Sequence, residues 1–171
     1  MRSAASQALL LLSLLLAGCD GGEQPAEPAV VATKSGPEEP KWLSPMDATE
    51  PALWLASQEP RQSAETITER TDHLRHSLAR AKRTFIEDPR MIANRTVQLG
   101  QMLAEAGQGE DYSALLDGLE AAAATSHRKQ LFGELCQHYY NSRQQGLDRT
   151  KALVRLTDRY AAQAITEGDA Q

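Results

Sequence analysis

Between residues 46 and 171 the apolar positions recur at alternating steps of three and four, the spacing of one helical face turned inward. The clearest run is Ile67, Thr71, Leu74, Leu78, Ala81 and Phe85. It predicts a helix over about Ser63–Glu87 with a seam packed on neighbours. Arg70, Arg75, Arg80, Lys82 and Arg83 lie off that seam, mixed with Glu69, Asp72 and Glu87, and read as a solvated face. Before this helix, Thr49 caps a short one that has Glu50 and Pro51 in its first turn, carries Leu53, Trp54 and Leu55, and stops before Pro60. After it, Asp88 as N-cap and Pro89 at the first helical position begin a third helix. That helix turns Ile92, Thr96, Leu99 and Leu103 inward and ends at Gly107-Gln108-Gly109. Asp111 caps a fourth, with Leu115, Leu116, Leu119 and Ala122 inward, and Gly118 with Ala121–Ala124 gives it a thin face that another helix can approach. A fifth, about Ser126–Gln145, presents Leu131, Leu135, Tyr139 and Ser142 and is stopped by Gly146. Asp148 caps the last, with Leu153, Leu156 and Tyr160 inward and Gly168 beyond its end.

Connections of about two to six residues imply antiparallel neighbours. The expected fold class is therefore all-α: an irregular bundle, or stacked hairpins, of about six short helices after a disordered tether. Leu99-Gly100 fits the leucine-glycine pair of a tetratricopeptide repeat, but Tyr112 then falls where a small residue is needed and no second copy appears. Composition agrees with helices. Aromatic residues are 5% of the 171, and Ala and Leu supply most of the apolar content, which disfavours strands. A net charge of −5 without a clustered basic face gives no reason to expect nucleic acid or an anionic lipid surface as partner.

The N-terminal segment follows a different pattern. Arg2 precedes an apolar run from Ala8 to Leu16, interrupted only by Ser13, too short for the ~20 residues of a membrane span but of the length and order of a signal-peptide core. From Asp20 to about Pro45, Gly21-Gly22, Pro25, Pro28, Gly36-Pro37 and Glu38-Glu39-Pro40 remove any period. Such a segment is extended and solvated, and about 25 residues reach roughly 25–30 Å on average. Trp42-Leu43 breaks the polar run, either docking on the helical domain or serving as an anchor for a partner or the lipid interface.

Leu16-Ala17-Gly18-Cys19 resembles the lipobox of bacterial lipoproteins. The resemblance implies cleavage before Cys19, a diacylglyceryl group on its sulfur, and a mature protein held on a membrane by acyl chains without a transmembrane helix. It also leaves Cys136 as a lone thiol, expected to be a small buried apolar side chain. Asp20 resembles the inner-membrane retention signal of enteric lipoproteins. The expected organisation is 1–18 signal peptide, 19–45 lipidated N-terminus and tether, and 46–171 helical domain, facing the periplasm.

Chemistry is sparse. His73 and His76 are three apart on one helix but lack a third ligand at matching distance, and Cys136 and His138, two apart, point in different directions. There is no Gly-rich phosphate loop, Gly-x-Ser-x-Gly or His-Glu-x-x-His motif. The expectation is a protein that is not an enzyme, with no metal and no cofactor. Two stretches instead carry planar, directional polar groups of the kind found at interfaces: Arg90, Asn94, Arg95 and Gln98 on the third helix, and Gln137, His138, Tyr140, Asn141 and Gln144 on the fifth. The alternative for these groups is that they bond to each other within the bundle or are plain surface. Arg90, Asn94, Arg95, His138, Tyr140 and Asn141 are the candidate partner-binding residues. Residues 90–96 (RMIANRT) and 132–140 (FGELCQHYY) resemble the small accessory lipoproteins encoded with periplasmic methanol-oxidation systems. That resemblance implies an assembly or maturation role toward a periplasmic dehydrogenase, without chemistry of its own. The competing expectation is a pilotin-like or small-ligand carrier, suggested by the thin alanine face and by Trp42 and Trp54.

Overall fold

The computed structural model describes residues 41–59 and 65–168, with side chains as far as Gln163. The signal peptide, Cys19, Asp20, the tether up to residue 40 and the expected helix start at Ser63 lie outside the described residues. Six helices follow in order: α1 (Pro51–Gln58), α2 (Ile67–Thr84), α3 (Pro89–Glu105), α4 (Tyr112–Ala124), α5 (Phe132–Gln144) and α6 (Arg149–Gly168). Among the described residues there is no strand, only an isolated parallel bridge between Phe85 and Gln130.

The helix ends follow local chemistry. Asp88 caps α3 through its carboxylate, which accepts from the backbone N–H of Arg90 and Met91, and Pro89 opens the helix as expected. Asp148 does the same for α6 by accepting from Lys151 N–H. α3 and α5 end on Gly107 and Gly146, both at positive φ, where the next residue's N–H returns to Leu103 and Ser142 respectively. Three starts differ from expectation. Glu50, not Thr49, is the N-cap residue of α1, and its carboxylate goes to Arg75 of α2. α2 begins at Ile67 behind a reciprocal capping box, Thr66 with Glu69. α5 begins at Phe132, because residues 126–131 form a turn held by the Ser126 hydroxyl and then pair Gln130 with the end of α2. Ile67 and Leu131, both expected inward, are in consequence 43% and 49% exposed at helix starts.

α1, α3 and α5 lie side by side in one layer and α2, α4 and α6 in the other, each helix also touching the next in sequence. The architecture is three stacked helical hairpins. One core runs through all of them, from Trp54 and Leu74 through Phe85 and Leu103 to Tyr139 and Tyr160. Phe85 and Phe132 meet edge to face at 4.8 Å where the hairpins join. The expected seam is buried at Thr71, Leu74, Leu78, Ala81 and Phe85, but Arg70 and Glu87, expected on the solvated face, are buried too, as is Ser77. The leucine-glycine pair is a real close approach. A Cβ on Gly100 would fall inside the ring of Tyr112, so the large residue at the facing position fills the room the glycine leaves. The thin face of α4 is filled in part: Ala122 and Ala123 are buried and Leu153 and Arg149 of α6 cover Gly118, while Ala121 and Ala124 stay exposed.

Candidate functional site

Leu43 joins the core while its neighbour Trp42 stays 54% exposed, so the two alternatives for this pair are divided between them. The backbone of Leu43 is clamped by Asn94, whose Oδ1 accepts from Leu43 N–H and whose Nδ2 donates to Leu43 C=O, both at 2.9 Å. Arg90 Nη1 donates to the carbonyls of Ser44 and Pro45 at 2.9 and 2.6 Å. These bonds lay the segment across the start of α3 and form the wall of an open groove of about 780 Å³. Trp42, Pro45, Pro51, Pro89 and Met91 line its apolar side, with Arg90, Asp88 and Arg95 at its polar edge. Arg95 also edges a second, smaller groove of about 160 Å³ between α3 and α5, lined by Gln98, Met102, Cys136, Gln137 and Tyr140. The two grooves adjoin at this one guanidinium.

Arg95 is exposed and makes no hydrogen bond or ion pair among the described residues. It lies over the first turn of α5, where Gly133 leaves room: a Cβ there would stand 2.9 Å from Cζ of Arg95. Beneath it, the buried Glu87 carboxylate accepts from the N–H groups of Phe132 and Gly133 at 2.9 and 3.0 Å and satisfies the start of α5.

The six candidate residues do not form one cluster. Arg90, Arg95 and Tyr140 share the grooved face. Asn94 is 3% exposed with its amide engaged on Leu43, so its side chain serves the fold. His138 and Asn141 lie across α5, beside Arg155 and Arg159 of α6. His138 contacts Glu134 at 3.2 Å, and Asn141 accepts from Gln137 at 2.9 Å. Trp42, expected either to dock or to anchor a partner, lines the groove, whereas Met91, Glu87 and Gly133 were not among the expected site residues. Only Glu87, the acid immediately before Asp88-Pro89, carried a local signal of belonging to a helix boundary.

Elsewhere the polar groups hold helices together. Glu110 accepts from Tyr139 Oη at 2.6 Å and pairs with Arg143 and Arg149, tying the α4 approach to α5 and α6. Asp117 accepts from Ser77 and Arg80 and contacts His73. Partial burial raises its carboxyl, but the bonds from Ser77 and His73 and the charge of Arg80 together outweigh that and hold it below the ordinary range. Burial pushes the Cys136 thiol up to about 12, which keeps it protonated and unreactive at neutral pH. Among the described residues no group of His, Cys, Asp and Glu has a metal-holding arrangement. No described helix is long and apolar enough to cross a membrane.

Fold and surface together define a class: a short stack of helical hairpins with a grooved face, half apolar and half cationic, on its odd-numbered layer. The chain belongs to the MoxZ family, whose family model matches residues 52–161, from the first turn of α1 into the second half of α6. The family is linked to methanol dehydrogenase systems, so the likeness seen in residues 90–96 and 132–140 holds at that level. Those two stretches pack on each other, Arg95 on Gly133. No curated protein and no solved structure matches the chain.

Proposed function

We propose that this protein is a non-catalytic accessory module of a methanol dehydrogenase system, gripping a protein of that system through the face of α3 and α5. The observation that carries the reading is the grooved face itself. Exposed Trp42 and Met91, the unpaired Arg95 and Tyr140 are gathered on one surface, and such residues make the strong anchors of protein interfaces. Acylation at Cys19 would hold the module on a membrane facing the periplasm, with Asp20 keeping it at the inner membrane and the tether giving reach.

The test is recovery of the tagged full chain from detergent extracts of methanol-grown cells. A subunit or maturation factor of the dehydrogenase system should come with it and be lost on Arg95→Ala or Tyr140→Ala. Failure to recover such a protein, or recovery indifferent to both changes, overturns the reading. Mass spectrometry of the mature N-terminus should find a diacylated Cys19, and an intact, unmodified leader would remove the anchor. The open groove beside Trp42 favours a second reading, a carrier of a hydrophobic peptide or small ligand. Its mark would be saturable quenching of Trp42 by apolar ligands that contain no charge.

A further inference from the structure

The arginines of the described residues have partners, with few exceptions, and those partners decide what each can still do. Arg75, Arg80, Arg143 and Arg149 are in ion pairs with carboxylates of this chain. Arg90 donates to two carbonyls, which hold the side chain but leave its charge uncompensated. Arg95 is different. It has neither a carboxylate nor a carbonyl, yet it is not a free-swinging surface side chain. Cζ, Nη1 and Nε would all lie within 3.2 Å of a Cβ on Gly133, so the guanidinium rests along its length against the first turn of α5. The one carboxylate beneath it, Glu87, is buried and engaged by the two N–H groups of that turn. Among the described residues the adjoining grooves hold one acidic side chain, Asp88, which caps α3. A planar cation laid along that turn, with its own N–H donors unbonded and flanked by apolar surface, is complementary to a carboxylate beside an apolar side chain.

We propose that the α3–α5 face binds an extended internal segment of its partner, with an Asp or Glu side chain on Arg95 and a neighbouring apolar side chain in the Trp42–Met91 groove. The proposal rests on the interaction reading above and adds the chemistry of what is gripped. A side-chain carboxylate fits better than a chain terminus, because grooves continue on both sides of Arg95 and a bound segment can run through.

The experiment is selection from a displayed library of random, tryptophan-free nonapeptides on the purified protein, followed by titration of the selected peptides. Trp42 is half exposed at the groove and Trp54 is buried, so a change in tryptophan emission on binding reports the groove. Enriched peptides should carry an internal Asp or Glu within three positions of an apolar residue. Replacing that acid by its amide should weaken binding about tenfold or more, as should Arg95→Gln, while Arg95→Lys should retain part of the affinity. No enrichment, enriched peptides without an acid, recognition of a terminal carboxylate alone, or equal binding by Arg95→Gln would each overturn the proposal. If those failures coexist with a partner that still co-purifies, the accessory reading survives on another surface. If the peptides behave as expected but no dehydrogenase-system protein is recovered, the carboxylate site stands and the accessory reading falls.

Discussion

At Gly100 an added Cβ would enter the ring of Tyr112, which is buried where α3 meets the start of α4. Gly100→Ala should therefore cost about 1–3 kcal/mol by overpacking, read as a lower urea midpoint with unchanged slope. Gly133 has a neighbour at similarly short range, but that neighbour is the far end of an exposed arginine. Gly133→Ala should leave the urea midpoint within about 0.5 kcal/mol of the parent, since Arg95 can swing away, and should weaken the selected peptides by displacing the guanidinium. A large stability loss at Gly133 with unaltered peptide binding would contradict that assignment. Asp117 supplies the pH dependence. Its folded carboxyl lies below the ordinary range, so the stability it contributes is present above the unfolded value near 3.9 and is lost as pH falls through the folded value. A third of its side chain is exposed, so solvent screening keeps the contribution under about 1 kcal/mol. Asp117→Asn should flatten the acid limb of a melting-temperature profile below about pH 4 and change its slope little near neutrality.

At the scale of elements, α2 shows both what a local pattern reveals and what it hides. The spacing from Thr71 to Phe85 identified the helix and its inward face, because that face is set by sequence period alone. Its start was set by Thr66 and Glu69, four residues of ordinary capping chemistry that were readable but overshadowed by Ser63. Thr66→Ala should destabilise by about 1 kcal/mol and Thr66→Ser by much less, measured by urea unfolding. Equal losses for the two would mean that the hydroxyl bond contributes nothing. The late start of α5 is another matter. Residues 126–131 have helix-compatible spacing, but Gln130 N–H donates to Thr84 C=O and Ile86 N–H to Gln130 C=O, contacts with chain more than forty residues away. No window on the sequence contains both partners. The same limit applies to Ser77: its place on a helix was visible, but not Asp117 of α4, forty positions on, against which it is buried.

For the whole molecule, periodicity reveals which side of each helix is apolar but not which helix it meets. Six helices and short antiparallel connections were therefore legible, while the separation into odd and even layers was left as one of two options. The site was legible to the same degree. Arg95 and Tyr140 stood out by residue type, whereas the groove depends on Trp42 arriving from outside the family's matched span. Asn94 marks the boundary most clearly, since its amide looks like a contact group until the backbone of Leu43, 51 positions away, is laid against it. One substitution tests that whole arrangement. Asn94→Ala removes both bonds, and leaving the N–H and C=O of Leu43 unpaired in the core costs about 1–3 kcal/mol before the segment lets go. Detachment caps the loss, because those groups regain water while the Leu43 side chain gives up its burial, about 2 kcal/mol. The expected result is a melting temperature several degrees lower, a red-shifted Trp42 emission and new proteolysis after Lys41, with α3 itself intact by circular dichroism. Peptide binding should fall with the loss of the groove wall even though Arg95 is untouched. A variant that melts like the parent and keeps its Trp42 emission would show that Leu43 packing and the Arg90 bonds hold the segment, with the amide clamp contributing nothing.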